Sequence, residues 1–176
     1  MAAEQRKIKT GVLGVGSLGQ WHARIYSEMP PAGRIAGREP DERERADIRL
    51  GARVAKVTSG LEIGQTVVVK DGTILAVEGF EGTDETIRRA GRLGGPGGVV
   101  VKVAKRGHDM RFDIPIIGTR TFKNLKKAGI SCLAVEAKRS ILLDREELEK
   151  LAKKMGLAFL AIDAEAEAAA GEEQKI

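Results

Sequence analysis

Three neighbouring stretches of this 176-residue chain hold the residues with the clearest chemical use: EGFEGTDETI (78–87), GGPGGVVVKVAK (94–105) and GHDMRFDIPIIG (107–118). Asp109 and Asp113, four apart in a loop, can converge on a hard divalent cation such as Mg²⁺. Lys102, Lys105 and Arg111 can neutralise a diphosphate. Gly82-Thr83-Asp84 opens a helix, where free N–H groups and the helix dipole attract phosphate. Gly97 and Gly98 allow close backbone approach just ahead of the strand that carries Lys102. Each piece also has a plain structural reading: a helix cap, a glycine loop, or a surface ion pair between Asp109 and Arg111. Neither a Walker-type GKT nor a zinc-ligand spacing narrows the choice.

A second constellation stands near the start. Gly14, Gly16 and Gly19 spell G-x-G-x-x-G after a short apolar run, the turn that lets a dinucleotide pyrophosphate approach a helix N-terminus. Such a site also needs a second strand ending in an acid about 20 residues on. Glu39 stands at that distance, but AGRIAGRE before it is a poor strand, broken by glycines.

These residues need elements to hold them. Residues 7–13 read as a buried strand and 17–28 as a helix opening at the glycines. The stretch from Pro30 to Pro40 reads as a linker, rich in Pro, Gly and charge. Asp41 with Glu44 makes a capping box for a helix bearing Ile48, Leu50, Val54, Ala55 and Val57. QTVVVK and TILAVE around Asp71-Gly72 form a hairpin. GTDETIRRAGRLG is a helix capped by Thr83 or Asp84, and VVVKVAK is a buried strand. TRTFKNLKKAG is an amphipathic helix stopping at Gly129. SCLAVEA and SILLD are strands, Asp144 with Glu147 caps a further helix, and LAFLAID is a last buried strand. The alternation predicts an α/β layered domain with a mixed or mostly parallel sheet, preceded by a partial Rossmann-like strand–turn–helix. The expected divisions are 1–29, a linker at 30–40, the main domain at 41–163 and a flexible tail at 164–176.

Composition narrows the function classes. Aromatic residues are 3% of the chain, too few for nucleic-acid binding by base stacking. The net charge of +5 is spread among interleaved acids and bases, a mild bias towards anions such as phosphate-bearing substrates or an anionic membrane surface. The single cysteine, Cys132, lies in an apolar run and reads as a core residue in a reducing compartment. With neither a signal-peptide core nor a run of about 20 apolar residues, a cytoplasmic protein is expected, at most peripheral at the inner membrane.

Two resemblances sharpen this. KIKTGVLGVGSLGQWHARIYSEM, residues 7–29, looks like the opening of oxidoreductases of the glucose–fructose oxidoreductase and inositol dehydrogenase type. It implies NAD(P) binding at Gly14, Gly16 and Gly19, and nothing later in the chain resembles that family. From about Asp41 to Asp163, GQTVVVK, EGTDE, VVKVAK and DMRFDIPIIG in combination resemble the C-terminal half of UDP-2,3-diacylglucosamine pyrophosphatases of the LpxI type. That resemblance implies hydrolysis of a nucleotide-lipid diphosphate to UMP and 2,3-diacylglucosamine 1-phosphate in bacterial lipid A synthesis. It also implies dependence on Mg²⁺ or Mn²⁺, with water attacking the sugar-side phosphorus. Asp109 and Asp113 are then the candidate metal ligands or water activators. Lys102 is the phosphate partner, and Glu81, Thr83 and Asp84 form a second wall with Gly82, Gly97, Gly98 and Arg111. The family's own N-terminal domain is expected to be missing from this sequence, which would impair activity, and a homodimer would cover exposed interface. The alternatives are an NAD(P)-dependent oxidoreductase fragment and a non-catalytic module that binds a lipid phosphate or a partner.

Overall fold

The computed structural model describes residues 29–105 and 114–170. The expected strand at 7–13, the helix at 17–28, the three fingerprint glycines, Asp109, Arg111 and Asp113 all lie outside the described residues. The described chain forms β1 (Gly33–Gly37), α1 (Glu42–Gly60), β2 (Thr66–Lys70), β3 (Thr73–Val77), α2 (Thr83–Gly94) and β4 (Val99–Lys102). Then come β5 (Ile116–Ile117), α3 (Thr119–Lys127), β6 (Cys132–Glu136), β7 (Ile141–Leu142), α4 (Arg145–Met155), β8 (Ala158–Ile162) and α5 (Ala164–Ala170).

Six strands make one mixed sheet in the order β1-β8-β6-β4-β2-β3, and β5 pairs with β7 in a separate two-stranded ribbon. The centre, β8-β6-β4, is parallel, while β1, β2 and β3 add antiparallel strands at the flanks. The central runs VVVK, CLAVE and AFLAI are apolar on both faces because both faces are covered. Val67, Val69, Val99, Val101, Cys132, Ala134 and Leu160 pack against Ile48, Ala52 and Ala55 of α1. Val68, Val100, Leu133, Val135 and Phe159 pack on the other side with Ile87, Phe122, Leu125 and Leu148 of α2, α3 and α4. Phe122 and Phe159 meet edge to face with ring centroids 5.3 Å apart, tying α3 to the sheet. Burying each such ring contributes about 1.5–3 kcal/mol.

Local signals decide most element ends. Asp41 and Glu44 form the expected capping box, with Glu44 N donating to Asp41 Oδ1 at 2.8 Å and Asp41 N to Glu44 Oε2 at 3.0 Å. The hairpin turns at Asp71 (φ 50°) and Gly72 (φ 73°), the double positive φ of a type I′ turn. Asp47 on α1 receives both amide N–H groups of that turn, at 2.9 and 2.7 Å. Of the apolar face expected on α1, Ile48 and Ala55 are buried, whereas Val57 is exposed.

Several expectations are corrected. Residues 33–37, read as part of a linker, form β1, antiparallel to β8 at the sheet edge. Glycines there need not break a strand, because an edge strand pairs through its backbone. At Gly37 (φ 75°) a Cβ would lie 1.8 Å from the Leu157 carbonyl oxygen. Part of the expected tail is helical: α5 packs on α1, and Ala164 is buried. Asp144 makes no side-chain cap; it sits in the left-handed region (φ 54°), and Glu147 N bonds its main-chain oxygen at 2.8 Å. Neither Thr83 nor Asp84 caps α2, whose N-cap is Gly82 at φ 79° without a side-chain bond. No helix among the described residues is long and apolar enough to cross a membrane.

Candidate functional site

The topology brings four chain segments to the carboxyl end of β4. β2 runs antiparallel to β4, so Thr66 at its start is the register partner of Lys102 at the end of β4. β3 returns alongside β2 and delivers Glu78, whose N–H donates to Thr66 O at 2.8 Å. The end of α1 supplies Ser59 and Glu62. Together with Ile114–Ile116 these segments enclose a cleft of about 500 Å³ lined by Glu62, Gln65, Glu78, Lys102 and Lys105 among others. A cleft outside the carboxyl ends of parallel strands, where strand direction changes, is the usual ligand position of an α/β sheet.

A short hydrogen-bonded relay builds one wall. Lys102 and Thr66, as register partners, project from the same face of the sheet, towards α2. Lys102 Nζ donates to Thr83 Oγ1 at 2.8 Å, and Thr83 Oγ1 donates to Glu78 Oε1 at 2.9 Å. With the Thr83 proton committed to Glu78, the 3.3 Å contact between Thr66 Oγ1 and Thr83 Oγ1 has Thr66 as donor. Glu78 Oε2 accepts from Gln65 N at 3.2 Å. On the other wall Lys105 forms a close ion pair with Glu62. The cleft thus holds two ammonium groups and two carboxylates, Lys105 paired directly with Glu62 and Lys102 joined to Glu78 through Thr83.

The expected site residues divide by position. Lys102 lines the cleft, and Thr83 stands behind it on the same ammonium. Glu81 instead organises its own loop, accepting from Arg89 at 2.5 Å, Gly79 N at 3.1 Å and Thr86 Oγ1 at 3.3 Å. The Arg89 guanidinium holds its carboxyl below the usual carboxylate range. Asp84 pairs with Arg120 of α3 at 2.7 Å. Gly82 contributes the turn into α2. Gly97 and Gly98 lie at the amino end of β4, about 13 Å of strand from Lys102. There Gly97 N bonds Gly129 O at 2.8 Å and Gly98 O accepts from Ser131 N at 2.9 Å, so these two glycines join β4 to the α3–β6 connection and not to the cleft.

Glu62, Gln65, Thr66 and Glu78 carry no motif of their own in the sequence. Counting outward from the Asp71-Gly72 turn pairs the hairpin arms and brings Gln65 and Thr66 beside Glu78, a signal that was present. Cys132 is buried, and burial pushes its thiol well up, with the Glu44 carboxylate adding to the shift. Among the described residues no group of three His, Cys, Asp or Glu could hold a metal.

The LpxI C-terminal domain family matches residues 31–160, taking in β1 as well as the region from Asp41. The chain is also 36% identical over 148 residues to the UDP-2,3-diacylglucosamine pyrophosphatase LpxI of Caulobacter vibrioides, across 79% of this chain and 53% of that protein. It therefore spans about half the length of that relative. The matched residues run from before β1 into β8, and on that ground the chain belongs to the LpxI C-terminal domain family.

Proposed function

We propose that this chain is the catalytic half of a hydrolase that cleaves the diphosphate of UDP-2,3-diacylglucosamine, releasing UMP and 2,3-diacylglucosamine 1-phosphate. The observation that carries the reading is a polar cleft at the carboxyl end of β4, walled by Lys102 and Lys105, inside a domain of this family. In this reading the two ammonium groups neutralise the diphosphate, and the relay through Thr83 and Glu78 holds Lys102 in place. Ile63 and Ile116, half exposed on the cleft lining, offer apolar surface to an acylated sugar.

Asp109 and Asp113 are the acids that would hold Mg²⁺ and orient the attacking water. The fit is chemical: the polar lining of the cleft offers carboxylate oxygens at Glu62 and Glu78, with the hydroxyls of Thr66 and Thr83 behind them. Such hard oxygen donors suit a cation that keeps several waters and takes only one or two protein carboxylates. When bound, that ion would offset the diphosphate charge and polarise phosphorus.

Release of UMP from UDP-2,3-diacylglucosamine with Mg²⁺ tests the reading. Asp109→Ala and Asp113→Ala are each expected to lower turnover about 10²-fold or more, with the far-ultraviolet dichroism unchanged. A folded chain that releases no UMP at high enzyme concentration would overturn the activity while leaving family membership intact.

A further inference from the structure

The ladder of β4 ends at Lys102, yet the next three residues are held as firmly as a strand. Val103 N donates to Gln65 O at 3.0 Å. Ala104 N donates to Glu136 Oε2 at 2.7 Å, and Ala104 O accepts from Lys56 Nζ at 3.3 Å. Lys105 O accepts from Arg139 Nη2 at 3.2 Å. Lys56 and Glu136 also pair with each other at 2.7 Å, and their side chains are only 2% and 6% exposed. Glu165 on α5 stands 3.5 Å from Lys56, and Arg139 stands 3.7 Å from Glu136.

A buried ion pair is a costly way to stabilise a core, since apolar residues of the same volume often do as well or better. What it supplies that an apolar pair cannot is an acceptor and a donor, side by side, for the N–H and C=O of one residue. Ala104 takes both. Its successor, Lys105, reaches into the cleft towards Glu62.

We infer that the Lys56–Glu136 pair is a positioning device that clamps Ala104 and so sets Lys105 in the cleft. Its catalytic consequence rests on the diphosphate-hydrolase reading; the clamp itself does not. The signal in the sequence is a charge on each of two buried stripes: Lys56 follows Ile48 and Ala52 at helical spacing, and Glu136 ends the apolar run CLAV.

Two double variants of the full chain separate positioning from stability. In Lys56→Met with Glu136→Gln, the amide can still accept from Ala104 N–H and donate to its carbonyl. In Lys56→Met with Glu136→Leu it can do neither. Amide exchange at Ala104, read by NMR, is expected to be at least about tenfold faster in the leucine variant and within about threefold of the parent in the glutamine variant. The kcat for UMP release follows the same split. In a Lys105→Ala background the two double variants have equal kcat, because the clamp acts through Lys105. Equal Ala104 exchange in the two doubles would overturn the proposal, as would a kcat split that persists without Lys105. A parent chain that releases no UMP refutes the hydrolase reading alone, and the exchange measurement then decides the clamp.

Discussion

Replacing Thr83 by valine removes one hydroxyl from the centre of the cleft wall at nearly constant volume. Two charge-assisted bonds go with it, from Lys102 at 2.8 Å and to Glu78 at 2.9 Å, and the buried Thr66 hydroxyl loses its acceptor at 3.3 Å. Such bonds contribute about 1.5–3 kcal/mol each, but the full sum is not lost. Lys102 and Glu78, both next to the vacated position, can close on each other as a partly exposed ion pair, which returns about 1 kcal/mol or less. Glu78 also keeps its bond from Gln65 N. A net loss of about 2–5 kcal/mol remains, which at about 2–4 °C per kcal/mol lowers Tm by about 4–20 °C for a chain of this size. Urea unfolding followed by circular dichroism measures it, with the m-value unchanged. Thr83→Ser keeps the hydroxyl and is expected to stay within about 1 kcal/mol of the parent. On the diphosphate-hydrolase reading, the valine variant is also expected to weaken UMP binding by calorimetry, because Lys102 is then held directly on the Glu78 carboxylate. Equal unfolding midpoints for the valine and serine variants would refute the relay.

Two other predictions concern the scaffold. Burial pushes the Glu44 carboxyl up, but the Arg38 guanidinium, the Ser131 hydroxyl and Asp41 N–H outweigh it and hold it below the usual carboxylate range. Its contribution is therefore full above the unfolded carboxylate value of about 4.3 and is lost as pH falls through the lower folded value. Because Arg38 is 41% exposed, Glu44→Gln should cost only about 1–2 kcal/mol at neutral pH. That deficit should shrink below about pH 4; urea titrations at both pH values that show a constant deficit would contradict it. Cys132, buried with its thiol shifted upward, should resist a thiol-specific disulfide reagent in native buffer and react fully in denaturant. Labelling within minutes in native buffer would mean that this part of the core opens.

The layered α/β architecture was legible because its signals are local. The apolar runs VVVK, CLAVE and AFLAI, the Asp41–Glu44 box and the Asp71-Gly72 turn each act within a few residues of chain, and all form as read. The misreadings fall where a long-range contact outweighs local propensity. β1 looks like a linker because its strand character comes from pairing with β8, far along the chain. Asp144 looks like a cap, but it sits in a left-handed conformation and its side chain makes no cap bond. Gly97 and Gly98 look like ligand-facing glycines, but they serve the packing of β4 against the α3–β6 connection.

For the site, residue types alone pointed to phosphate chemistry and to Lys102. The sequence by itself determined most of the elements, the family motifs and the supply of cations and acids, since these depend on periodicity and neighbours in the chain. Only the tertiary structure decided which of them meet. Antiparallel pairing of β2 with β4 puts Thr66 beside Lys102, and the returning hairpin adds Glu78. Parallel pairing of β4 with β6 brings Glu136 to Ala104, 32 residues away in the chain. Strand order and register set those distances, and neither is written in the spacing of residues along a single strand.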